Sequence, residues 1–139
     1  MISTGIIRSI DNLGRIVLPK ELRSSYGITP DTMGCEIRSS MEVVELGVSS
    51  TGMPVYLDKN AYGADGIILS CRLKPHNAFR GPYQSGPCKM MTVGLGKQKG
   101  ASLVHTDGMD VISKNIPTMA KVVLEKAKIL FAIPCIENA

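Results

Sequence analysis

His76 and His105 are the only histidines of this 139-residue chain, and Lys89 falls between them. An imidazole titrates near neutrality, so either histidine could trade a proton with a substrate hydroxyl or give a ring nitrogen to a metal. Two histidines alone make a poor metal site, and each also suits an ordinary polar or capping role. After Lys89 comes a basic, glycine-rich piece, Gly94-Leu95-Gly96-Lys97-Gln98-Lys99-Gly100. It is not a P-loop: Met91 stands where the first glycine belongs, and Gln98 follows the lysine where Ser or Thr would bind magnesium. Nor is it a dinucleotide fingerprint, since three residues rather than two separate Gly96 from Gly100. Two readings fit the pattern equally: a phosphate cradle of backbone N–H groups with Lys97 and Lys99, or a plain flexible turn.

A second set of chemically capable residues lies near the start. Arg8, Arg15, Lys20 and Arg23 are opposed only by Asp11 and Glu21 between residues 1 and 28. Doubled by a two-fold axis, four cations become a surface able to track phosphates with a steep salt response. From charge alone the same four read first as solvated surface charges. The whole chain carries a formal net charge of +4, which permits an anionic partner without demanding one. With no Trp, two Phe and four Tyr, stacking platforms for single-stranded nucleic acid are disfavoured. Cys35, Cys71, Cys88 and Cys135 form no CxxC pair, which argues against a zinc site or a disulfide framework and for reduced thiols. No apolar run is long enough to cross a bilayer, and the opening residues lack the basic start and apolar core of a signal peptide; the expected location is cytoplasmic.

The elements that must carry these residues are short. Thr4–Ile10, the turn Asp11-Asn12-Leu13-Gly14, and Arg15–Leu18 form a β-hairpin pattern. Pro19 suits a first helical turn, Lys20–Tyr26 continues it, and Gly27 is a natural stop. Gly34–Arg38 and Glu42–Leu46 read as two further strands turning at Ser39-Ser40. A module of about 45 residues buries too little surface to stand alone, so a homodimer is expected, with strands of both chains closing one core. Downstream, Pro54–Leu57 is a strand, Asp58 caps a brief helical turn, and Ile67–Cys71 is an apolar run of the kind covered on both faces. A long polar loop, Arg72 to Gly86, precedes helical stretches over Lys89–Val93 and Gln98–His105. Ile112, Ile116, Met119-Ala120, Val123-Leu124 and Ala127 keep one helical face, with Asp110 or Ser113 as N-cap, and Ile129–Ile133 closes as a buried strand. Strand, loop, helices, strand is an α/β order with its functional loop after the strand's carboxyl end.

The run from Ser3-Thr4-Gly5-Ile6-Ile7-Arg8 through Asp11–Arg23 to Gly27-Ile28 resembles the DNA-binding domain of the AbrB/SpoVT transition-state regulator family. The resemblance implies a swapped-hairpin β-barrel dimer that binds duplex DNA, with Arg8, Arg15 and Arg23 on the contacting surface. Ser24 stands where that family often has another basic residue. Such barrels read DNA through its backbone and shape, so no target sequence is implied.

Lys74-Pro75-His76, Phe79-Arg80-Gly81, Ser85–Lys89, Gly94–Ala101 and His105, with Met53–Ala61 before and Phe131–Ala139 after, resemble the nickel-pincer isomerases, relatives of lactate racemase. The resemblance implies that Lys89 carries the pincer nucleotide, that His105 completes a square-planar nickel site, and that His76 is a catalytic base for a 2-hydroxy acid. Lys97 and Lys99 would lie near the cofactor's phosphate. That family takes a second histidine base, a substrate-binding arginine and a cleft-closing domain from parts not seen in this sequence. A half-built site without racemase activity of its own is therefore expected.

The combined reading is α+β in two parts: residues 1–47 as a dimeric swapped-hairpin barrel, and residues 48–139 as an incomplete α/β domain. The expected function is a duplex-DNA-binding regulator that needs no cofactor, acts as a homodimer off the membrane, and is fused to a truncated isomerase-like segment. The alternatives are a nickel-pincer cofactor-binding isomerase or its inactive remnant, and a fused frame whose C-terminal half is only partly folded.

Overall fold

The computed structural model describes residues 20–76, 81, 83–106 and 108–136. The expected hairpin over residues 4–18, with Arg8 and Arg15, lies outside the described residues. The chain divides between Ser39 and Ser40 into two compact units, eight residues before the boundary expected from sequence.

In the first unit, helix α1 spans Lys20–Ser25. It stops where expected: Gly27 is left-handed at φ 71°, its N–H bonds Ser24 O at 2.9 Å, and the Ile28 N–H bonds Arg23 O at 2.8 Å. This reciprocal pair satisfies two carbonyls that the helix end would otherwise leave open. Helix α2 spans Pro30–Met33. Thr29 caps it, accepting from Thr32 N at 3.2 Å, while Thr32 Oγ1 accepts from Thr29 N at 3.0 Å. Threonine here replaces the usual Glu or Gln of a capping box, which hid the helix start. The expected strand Gly34–Arg38 is not formed. Gly34, at φ 65°, is the left-handed cap of α2, and residues 36–40 take no regular structure.

The second unit begins with strand β1, Val43–Val48, antiparallel to β2, Pro54–Asp58, from Val43↔Asp58 to Val48↔Pro54 with a bulge between Glu45 and Gly47. The run expected to complete the N-terminal barrel is thus the partner of β2. Val55 and Leu57 of β2 are fully buried, and a strand so buried needs its ladder satisfied. Helix α3, Lys59–Tyr62, follows at once, capped by Asp58 as expected, with Ala61 N donating to Asp58 Oδ1 at 2.8 Å.

Strands β3, Ile67–Leu73, and β4, Ile129–Ile136, pair in parallel from Ile67↔Ile129 to Leu73↔Ile136. Between them run α4 (Pro87–Lys89), a π-turn (Met90–Gly94), α5 (Lys97–Thr106) and α6 (Met109–Lys126). This is the expected strand–helices–strand order. Helix α6 presents Ile112, Ile116, Met119, Ala120 and Val123, each at most 1% exposed, to Val55, Leu57, Leu69 and Val104. Two details differ. Leu124 is 55% exposed, and α6 starts earlier, with Gly108 as N-cap in place of Asp110 or Ser113.

Strand β3 is covered on one face only: Ile67, Leu69 and Cys71 are buried, while Ile68 is 53% exposed. Phe131, paired with Ile68, and Ile133 share that open side, so the expected double covering is not met among the described residues. The described architecture is mixed α+β, six helices and two two-stranded sheets, neither closed into a barrel.

Candidate functional site

One candidate site lies where β3 ends. Cys71, Arg72 and Lys74 lie at its end, and Ser85-Gly86 lead into α4. These residues, with Lys89, Met90, Val93 and Gly94, wall a cavity of about 250 Å³. A second hollow of about 360 Å³ shares Lys74 and Ser85 with it and adds Pro75, Gly81 and Gln84. The loop is laced shut by side chains. Lys74 N donates to Ser85 Oγ at 2.8 Å, His76 N donates to Gln84 Oε1 at 2.9 Å, and Gln84 Nε2 donates to Gly81 O at 3.0 Å. The carboxyl end of a parallel strand is where open α/β units commonly hold ligands.

Three cations, Arg72, Lys74 and Lys89, line the first cavity, and no carboxylate does among the described residues. Lys89 is half-buried, and its amine is pushed below the ordinary lysine value, first by burial and then by the neighbouring Lys74 charge. Burial pushes the Cys88 thiol up, so it stays protonated at neutral pH and competes poorly for a metal. The π-turn forms the far wall. Such turns are uncommon in helical chains and occur often at functional sites.

The other sequence candidates sit elsewhere. His76 is half-buried at the loop's start but is not among the described residues of either hollow's wall. His105, in the last turn of α5, has Nδ1 2.6 Å from Ala101 O, which fixes its tautomer and leaves Nε2 as its second ring nitrogen. Lys97 is bound to Asp58 Oδ2 at 2.9 Å, and Lys99 Nζ lies 4.4 Å from the Tyr56 ring centre. Both lysines are thereby tied to β2. The glycine spacing of this stretch has a packing cause: a Cβ on Gly96 would collide with the Thr92 carbonyl oxygen, and one on Gly100 would lie 2.7 Å from it. Lys99 also lines a separate hollow of about 460 Å³ with Tyr56, Met41, Val43 and Leu103.

For a pincer nucleotide the fit is partial. Lys89 is half-buried with its amine pushed below the ordinary lysine value, and His105 has Nδ1 held by a carbonyl, as metal-binding imidazoles often do. Neither histidine is on the described wall of the Lys89 cavity. Among the described residues no group of three or more His, Cys, Asp or Glu is arranged to hold a metal. Sequence reasoning overlooked Arg72, Lys74 and Ser85 as site residues. The strand-end rule pointed to their loop, but nothing in their spacing says that the loop folds back on Lys89.

In the first unit, Arg23 lies half-buried on α1, and Lys20 opens the same helix, its side chain outside the described residues. Among the described residues no helix is long and apolar enough to cross a membrane. No family model, no curated protein and no solved structure matches the chain. Fold and site together define a mixed α+β chain whose second unit is a strand–helix–strand element with a cationic cavity at its strand end.

Proposed function

We propose that the chain is a duplex-DNA-binding regulator that acts as a homodimer through its first unit, with an isomerase-like unit behind it. One observation bears most of the weight: the run Ser3–Ile28, with Arg8, Arg15, Lys20 and Arg23, falls wholly before the division at Ser39/Ser40. A module set apart in this way can pair with its copy and present eight cations to phosphate. In the proposal a swapped-hairpin barrel supplies that pairing, and neither metal nor cofactor is needed. The test is a fluorescence-anisotropy titration of a labelled duplex at several salt concentrations. Affinity should fall linearly in log–log form with salt, and Arg15→Ala with Arg23→Ala should lower it at least ~tenfold and flatten the slope. Binding no tighter than that of a neutral control protein at low salt refutes the proposal.

A second reading is favoured by the tuned amine in the strand-end cavity: the second unit holds a nickel-pincer nucleotide on Lys89, with His105 toward the metal and His76 as base. When bound, that group would supply a hydride acceptor for 2-hydroxy acids. The chain's own contribution would be a covalent anchor at Lys89 and, through Arg72 and Lys74, charge that holds an anion. Intact-mass analysis after co-expression with cofactor-making enzymes tests this reading. An unmodified, nickel-free chain refutes it.

A further inference from the structure

The hollow of about 460 Å³ beside the β1–β2 ladder is used by neither reading above, and its volume is one that small organic ligands fill. Val43 and Tyr56 line it from the two strands, and Lys99, Ser102 and Leu103 line it from one face of α5, three and four residues apart. The wall divides by chemistry. Val43, Tyr56 and Leu103 offer carbon surface, and Met41, 51% exposed, adds a flexible thioether that adapts to an irregular body. Gln98 and Ser102 offer neutral hydrogen-bonding groups, and Lys99 is the one charged residue on the wall among the described residues. Glu45, opposite Tyr56 in the ladder, is exposed and is not part of that wall. The two lysines in the first turn of α5 are in different states. Lys97 is matched by the Asp58 carboxylate at 2.9 Å, whereas Lys99 meets no carboxylate among the described residues and rests 4.4 Å from the centre of the Tyr56 ring. A ring face holds an exposed ammonium weakly, and a charge-assisted hydrogen bond to a carboxylate is stronger. A ligand bearing that group therefore draws Lys99 off the ring and leaves the Tyr56 face for its own carbons.

We propose that this hollow binds a small monocarboxylate with an apolar body, its carboxylate taken by Lys99 with Gln98 and Ser102 as neutral donors, and its carbons laid against Tyr56, Val43, Leu103 and Met41. One ammonium matches one negative charge. A phosphate dianion would leave its second charge unpaired against apolar walls, which is costly. The inference goes beyond both readings above, since it depends neither on DNA nor on nickel and uses no residue of the strand-end cavity.

The test is a titration of the full-length chain, labelled with ¹³C at its methionine methyls, at pH 7.5. The probes are 4-phenylbutyrate and octanoate, with 4-phenylbutyramide as the uncharged form, and Met41→Leu identifies the Met41 signal by its loss. For acids of this size the Met41 signal should shift and saturate at about 1 mM or below. Met90, on the wall of the strand-end cavity, should stay in place, so the two cavities are told apart on the unaltered chain. The amide should bind at least ~tenfold more weakly than its acid. Lys99→Met should abolish that difference, while Lys121→Met, at an exposed lysine of α6, should preserve it. The shift and the comparison of acid with amide need no variant of Lys99, so misfolding of one does not obscure them. The tighter of the two acids tells an aromatic body from a straight chain, and either order supports the proposal. A Met90 shift with Met41 unmoved, equal affinity for acid and amide, or no saturable shift by ~10 mM overturns it. Failure here leaves the DNA titration untouched, and failure of the DNA titration leaves this result untouched.

Discussion

Asp58 joins three elements at one carboxylate, and its replacement gives the most informative test of the second unit. It ends β2, caps α3 through Ala61 N at 2.8 Å, and holds Lys97 Nζ at 2.9 Å at the start of α5. Its side chain is 8% exposed and that of Lys97 27%, so the pair is largely out of water. Asp58→Ala strands the lysine charge and removes the cap. Losing one partner of a buried pair costs about 3–5 kcal/mol, and a lost N-cap about 1 kcal/mol. Because a quarter of the Lys97 side chain still reaches solvent, the pair falls below that range, at about 2 kcal/mol, which with the cap makes about 3 kcal/mol in all. In a unit of roughly 100 residues that is about 12–24 °C in Tm. Asp58→Asn keeps a competent cap and loses only the charge, so about 2 kcal/mol is expected. Adding Lys97→Met should recover part of that loss, since the stranded ammonium is gone. The pH dependence has a definite sign. Burial alone would raise the Asp58 carboxyl, but hydrogen bonds from Lys97 and the Ala61 amide, the Lys97 charge and the Asn60 amide outweigh it and hold the group below its ordinary 3.8. Its stabilisation is therefore present above pH 3.8 and is lost as pH falls through the lower folded value. Urea unfolding followed by circular dichroism between pH 7 and pH 2 measures all of this. If Asp58→Ala costs under ~1 kcal/mol, or if Asp58→Asn shows the same acid loss as the parent, the pair is not what joins these elements.

Further tests address packing. Gly96→Ala drives a methyl into the Thr92 carbonyl, a backbone atom that cannot swing aside, and should destabilise the second unit by about 1–3 kcal/mol or more in the same urea assay. Met119→Ala, at a fully buried site, should cost about 2–5 kcal/mol, whereas Ile133→Thr, at a 53% exposed site on the open face of β4, should stay within about 0.5 kcal/mol. Equal costs for these two would mean that the open face is covered in solution. Glu42→Gln breaks an ion pair with Lys59 that is about two-thirds exposed on both sides, and no measurable change in unfolding midpoint is expected.

Much of the second unit was legible because its signals are local and repeated. The α6 face from Ile112 to Val123, the cap at Asp58, and the apolar runs of β3 and β4 each follow from a short periodic pattern or one residue type. What was misread depended on competition between alternatives. Gly34 has the dihedral freedom to end a helix or to enter a strand, and the Thr29–Thr32 exchange of hydrogen bonds decided for the helix. Glu42–Leu46 could have paired toward either side, and two fully buried residues on β2 claimed it. The glycines at 96 and 100 fitted a phosphate cradle or a plain flexible turn equally, and no spacing rule showed that their bare α-carbons admit the Thr92 carbonyl. The cavity around Lys89 was the least legible, because it needs Arg72, Lys74 and Ser85 to meet across a loop whose closure no spacing rule encodes.

The parallel pairing of β3 with β4 sets a timetable for the chain's birth. The β1–β2 ladder joins near neighbours and can form as soon as both strands leave the ribosome, but Ile67 finds its partner Ile129 only about sixty residues later. At about 5–20 residues per second that is an interval of roughly 3–12 s, during which the apolar β3 has no ladder. Nascent α4 to α6 must shelter it in the meantime, and whatever slows translation across α6 lengthens the window in which β3 can pair with the wrong strand.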